Sequence, residues 1–182
     1  MLKKNFKKIL ADNSGFSLAE LLVSIFIITI MSGLFMVNYH STNKRSEISM
    51  VKQKVASSIR SAQNNSLGSK TYDGINTPGG GWGVHFDLAS STQYIIFADK
   101  NAPNGNQAYD AGEAIEIKTL PVGVTISSLS PANVVDIVFF PPDPVTYING
   151  LNNTNAQITL LENINNSTVR VSVNFFGLID TD

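Results

Sequence analysis

A single carboxylate lies inside an apolar run. From Phe16 to Val37 the chain reads FSLAELLVSIFIITIMSGLFMV, 22 residues in which Glu20 is the one ionisable side chain. At about 1.5 Å per residue a helix of this length reaches about 33 Å, enough for a hydrocarbon core of about 30 Å. A charge at membrane depth costs about 2.5–3.5 kcal/mol on insertion scales, so Glu20 needs a partner or a proton. The run itself holds no Lys or Arg. Cleavage just before Phe16 would create the missing cation, because the new α-amine would sit about one helical turn from Glu20.

A second group of oxygen donors lies in DKNAPNGNQAYDAGE, where Asp99, Asn101, Asn104, Asp110 and Glu113 surround Gly105 and Gly112. Their order resembles a stretched calcium loop, and hard cations take six to eight oxygens of this kind. Pro103 and three extra residues separate it from the compact form. Two readings follow, weak Ca²⁺ binding or a polar turn rich in Asn and Gly, with the turn favoured.

Other chemistry is thinly supplied. The chain has no cysteine, which excludes thiol catalysis, disulfides and Cys/His zinc sites. His40 and His85 have no triad or metal pattern around them and read as structural or solvated. No GxSxG, HExxH or phosphate-loop pattern is present, so a membrane-tethered hydrolase ranks last among the functions, and the expectation is a protein without enzymatic activity.

The elements that position these residues follow from charge and periodicity. Lys3, Lys4, Lys7 and Lys8 precede the apolar run, with only Lys44 and Arg45 close behind it. The positive-inside bias then puts the N-terminus in the cytoplasm and residues 38–182 outside. A secretory signal calls for a shorter apolar core and a small-x-small cleavage site, and neither is present at the end of this run. Residues 38–60 carry five basic residues against Glu47, whereas beyond residue 60 four basic residues face eleven acids, a balance of −7. That acidic body disfavours nucleic acid as a partner.

No Gly or Pro falls between Val37 and Gly68, and Ile48, Val51, Val55, Ile59 and Ala62 recur at steps of three or four. This spacing predicts an amphipathic helix that continues the apolar one to about Asn65. Its basic residues read equally as solvated charges or as contacts to acidic neighbours. Beyond Gly68, seven strands are expected: 82–88, 93–98, 114–118, 122–127, 134–140, 156–161 and 169–176. In the last, Val169, Val171, Val173 and Phe175 should face inward. The fold class is α+β, a long N-terminal helix on a mainly antiparallel β-sheet. The divisions are a leader at 1–15, a helix at 16–66 with its membrane segment at 16–37 and its amphipathic part at 38–66, and a β-rich domain at 67–182.

A Lys-rich leader followed by Gly15-Phe16-Ser17-Leu18-Ala19-Glu20-Leu21-Leu22 resembles the prepilin motif of type IV pilins and type II secretion pseudopilins. The resemblance covers about residues 7–37. It implies a prepilin peptidase that cuts after Gly15 and methylates the amine of Phe16, and a Glu20 that pairs with the terminal amine of a neighbouring subunit during assembly. It also implies a pilin-like fold and an inner-membrane protein with a periplasmic or extracellular domain. Its partners would be an assembly platform in that membrane and other pilins in a filament. Gly81-Trp82-Gly83-Val84 and the late VRVSVNFFGLI resemble the H-type minor pseudopilins and their FimT-like relatives. Those relatives often carry Arg after the last glycine, where this chain has Leu178. The expected function is a minor pilin or pseudopilin subunit of a type IV pilus or type II secretion system. The alternative is a tip subunit that captures DNA or another ligand.

Overall fold

The computed structural model describes residues 15–182 apart from Ala102 and Pro144, and gives no side chains for 37–44. The lysine-rich leader, His40 and Lys44 therefore lie outside the described residues or side chains. The chain divides into two compact units, Met1–Thr42 and Asn43–Asp182.

In the first unit, helix α1 (Leu18–Leu67) begins. From Leu18 to Met36 it is long and apolar enough to cross a membrane, with mean hydropathy 2.2 and none of its residues buried. Phe16, Leu18, Phe26, Phe35 and Met36 all stand out into the surroundings. Ser24 Oγ and Thr29 Oγ1 donate to the carbonyls of Glu20 and Ile25 one turn back, which satisfies these hydroxyls without a partner chain.

In the second unit the stripe read from the sequence is the buried face of α1. Ile48, Val51, Val55, Ile59 and Ala62 are all 2% exposed or less. From Val51 to Ala62 they pack on two antiparallel sheets rather than the single sheet expected. The first sheet has the order β3-β2-β1-β5-β6, formed by β1 (Gly81–Asp87), β2 (Gln93–Asp99), β3 (Ala114–Thr119), β5 (Val134–Phe140) and β6 (Val145–Ile148). The second has the order β4-β7-β8-β9, from β4 (Val124–Ser130), β7 (Ala156–Glu162), β8 (Ser167–Val173) and β9 (Ile179–Thr181). Val84, Phe86, Ile137 and Phe139 from one sheet and Ile158, Leu160, Val171 and Val173 from the other join the helix stripe in one core. β7 and β8 bury alternate residues, and the inner faces of the two sheets together cover the stripe.

Two strands were not anticipated, β6 and β9. The strand expected at 169–176 stops at Val173, because Asn174 turns the chain. Phe175 therefore does not continue the buried alternation and is 38% exposed.

Candidate processing and assembly site

Gly15, Phe16 and Ser17 precede the helix, and nothing lies within 4 Å of the position a Cβ on Gly15 would occupy. Phe16 is 80% exposed. Ser17 and Glu20 then bond reciprocally. The Ser17 N–H donates to Glu20 Oε2 at 3.0 Å, and the Glu20 N–H donates to Ser17 Oγ at 3.2 Å. This is a capping box, in which the N-cap and third helical residues each satisfy a backbone donor the helix leaves over. The first helical bond, Leu21 N–H to the Ser17 carbonyl, follows at 3.1 Å. The carboxylate that composition leaves without a partner thus has a local one already. The S-x-x-E spacing of Ser17 and Glu20 is the signal in the sequence for this pairing.

The structure brings Asp99, Asn101, Asn104, Asp110 and Glu113 into the loop between β2 and β3, and it fills their oxygens with the loop's own donors. Asp99 accepts the backbone N–H groups of Gln107 at 2.8 Å, Asn106 at 3.0 Å and Asn101 at 3.3 Å. Glu113 accepts those of Lys100 at 2.8 Å and Asp110 at 3.0 Å. Asp110 Oδ2 accepts the side-chain amides of Asn101 and Asn106, both at 2.8 Å. Asn104 contributes its carbonyl, which accepts from Gln107 Nε2 at 2.7 Å. Gly80 and Gly105 close on the Asp99 carboxylate so tightly that a Cβ on either would overlap it. Burial raises both Asp99 and Glu113 above their ordinary values of 3.8 and 4.5, and the amide donors pull the other way. Among the described residues no group of three or more His, Asp or Glu side chains is arranged to hold a metal ion.

His85, expected to be structural or solvated, has a specific partner. Its Nδ1 lies 2.6 Å from Asp136 Oδ1, because β1 and β5 place the two residues directly opposite. The Tyr109 ring lies 4.5 Å from the His85 ring, and the Tyr109 N–H donates to Asp136 Oδ2 at 3.2 Å. Phe97, 5.4 Å from Tyr109, fills the space that the absent side chain of Gly83 leaves. The pair therefore fastens the 100–113 loop onto the sheet.

Residues 10–36 match the family described as "Prokaryotic N-terminal methylation motif". No curated protein and no solved structure matches the chain. The matched segment contains Gly15, Phe16, the capping box and the exposed apolar turns of α1. It supports a type IV pilin-like or pseudopilin protein, in keeping with the α+β arrangement of helix and antiparallel sheets.

Proposed function

We propose that this chain is a minor pilin or pseudopilin subunit with no catalytic activity of its own. A prepilin peptidase cuts it after Gly15 and methylates the amine of Phe16, and an assembly platform adds the product to a filament of other pilins. The observation that carries the reading is the methylation motif on residues 10–36, seated where the chain enters an apolar helix with no buried residue. Such a helix gains its burial from lipid before assembly and from neighbouring helices afterwards. Glu20 serves two purposes in turn. Its Oε2 holds the helix start through Ser17. Its Oε1 takes the terminal amine of the next subunit, and a mispaired copy keeps an unpaired charge in an apolar surrounding, which fixes register.

Mass spectrometry of the chain from its native cell tests the first step. The expected mature terminus is N-methylated Phe16, and a chain still beginning at Met1 would overturn the reading. Glu20→Ala tests the second, with processing retained and filament incorporation lost. The calcium and DNA readings rank below this one. The 99–113 carboxylates already serve the loop's amides, and the body beyond residue 60 is acidic.

A further inference from the structure

At the β3 edge the helix-facing side of the first sheet turns from apolar to charged. Residues alternate along a strand, so Glu116 and Lys118 stand on one face of β3 and Ile115 and Ile117 on the other. Register decides which face is which. Tyr94 and Ile96 of β2 belong to the core under α1, and they lie directly opposite Lys118 and Glu116. The charged pair therefore continues the helix-facing surface by one strand. Across from it, Lys54, Ser57 and Ser58 fall at i, i+3 and i+4 on one face of α1. Helix and strand enclose a groove of about 400 Å³, lined by Lys54, Ser57, Ser58, Tyr94, Lys118 and Thr119. Sites for small ligands measure about 300–1,000 Å³, so a molecule of sugar size fits.

The lining is chemically one-sided, with two ammonium groups, four hydroxyls and no carboxylate. Both cations are lysines, point charges that ask for no planar bidentate partner and serve a tetrahedral phosphate. Glu116, just outside, already sets its Oε1 on Lys118 Nζ, which shows that an oxyanion can reach this ammonium. Lys118 is 40% exposed and Glu116 52%, so water screens the pair and a more highly charged anion displaces the carboxylate. Tyr94 is only 4% exposed, and its hydroxyl lies 2.9 Å from Ser58 Oγ. Two hydroxyls carry two protons and the bond between them uses one, so the other is left to donate to a third oxygen. Burial raises the Tyr94 phenol above its ordinary 10.0, against the pull of Ser58 and Lys118, and the proton stays on at neutral pH.

We propose that this groove binds the phosphate ester of a sugar or similar polyol, with the phosphate between Lys54 and Lys118 and the hydroxyls of the ligand on Ser57, Ser58 and Tyr94. Two ammonium groups balance the about two negative charges of one phosphate monoester. Glu116 occupies Lys118 until the phosphate replaces it. A long polyanion is a poorer fit, because the chain beyond residue 60 is acidic. The site uses neither Gly15, Phe16 nor Glu20, so it stands or falls apart from the processing reading.

Calorimetric titration of the full-length chain in a neutral detergent, with glucose 6-phosphate as the probe, tests the proposal. The probe should bind, inorganic phosphate should bind more weakly and glucose should give no heat. Lys54→Gln and Lys118→Gln should each weaken the probe about tenfold, the loss expected when one charge-assisted hydrogen bond goes. Glu116→Gln should tighten it about threefold by freeing Lys118. An unchanged melting temperature without ligand separates lost binding from lost folding in each variant. Short-chain phosphatidylinositol distinguishes the sources of the ester: tighter binding than the probe marks a lipid headgroup, weaker binding a free sugar phosphate. No heat at about 10 mM probe would overturn the proposal. So would binding that both lysine variants leave unchanged, or equal affinity for inorganic phosphate and glucose 6-phosphate.

Discussion

One helix, α1, contains two regions with opposite histories of burial. From Leu18 to Met36 its large apolar side chains are exposed, whereas Val51, Val55, Ile59 and Ala62 are sealed under two sheets. Apolar content does not separate them, because the first region is the more apolar. What differs is the angular distribution. The second region has one apolar stripe and a polar remainder, which one chain can cover. The first is apolar on all sides, which a single β-domain cannot cover, and it needs lipid or several neighbours. The amphipathic half can be satisfied by folding, the other half only by surroundings.

Substitutions can break this contrast. Ile59→Ala should lower the stability of the solubilised chain by about 2–5 kcal/mol in thermal unfolding, while Ile27→Ala in the same preparation should leave the transition in place. Equal losses would mean that both regions draw on one core. Gly81→Ala ranks next, at about 1–3 kcal/mol or more, since Gly81 has φ +94 and a Cβ would run into the Phe139 carbonyl. Ser17→Ala should cost about 1 kcal/mol at the start of α1 alone, read as hydrogen exchange about fivefold faster at amides 18–21.

A smaller effect sharpens the contrast from the side of charge. Asp99 and Glu113 have carboxyls raised by burial, so folding takes up protons near them. Their contribution is fully present below the ordinary values of 3.8 and 4.5 and is lost as pH rises through the raised ones. Asp99→Asn with Glu113→Gln should therefore flatten the fall in melting temperature between pH 4 and pH 7. Exposed Asp73, lowered to about 2 by the Asn76 and Ile75 amides, acts in the opposite sense but below this window. Millimolar calcium should leave the melting temperature unchanged, and a rise would restore the metal reading of the 99–113 loop.

The sequence was legible where a period was long or a spacing local. The helix stripe needs only a repeat of three and four, and β5 was legible to its terminal residues because Val134–Phe140 is apolar but for Asp136 and stops at Pro141-Pro142. Strand β6 was missed because four residues between Pro144 and Asn149-Gly150 carry no countable alternation, and β9 has only three. Phe175 misled because its alternation with Val173 persists through a turn that Asn174 and Gly177 create. The capping box was within reach of local spacing. The His85–Asp136 pair was not, since it depends on the register of strands 51 residues apart.

The Ser17–Glu20 box has a further consequence for the cut itself. Proteases bind backbone in extended form, and a scissile bond wound into a helix must first be unwound. Because side chains halt the winding at Ser17, the Gly15–Phe16 bond stays outside the ladder of helical bonds at a constant distance from it. Under the proposed processing the helix presents that bond as a ready substrate, and lengthening the chain between Phe16 and Ser17 by one residue would move it without altering the helix.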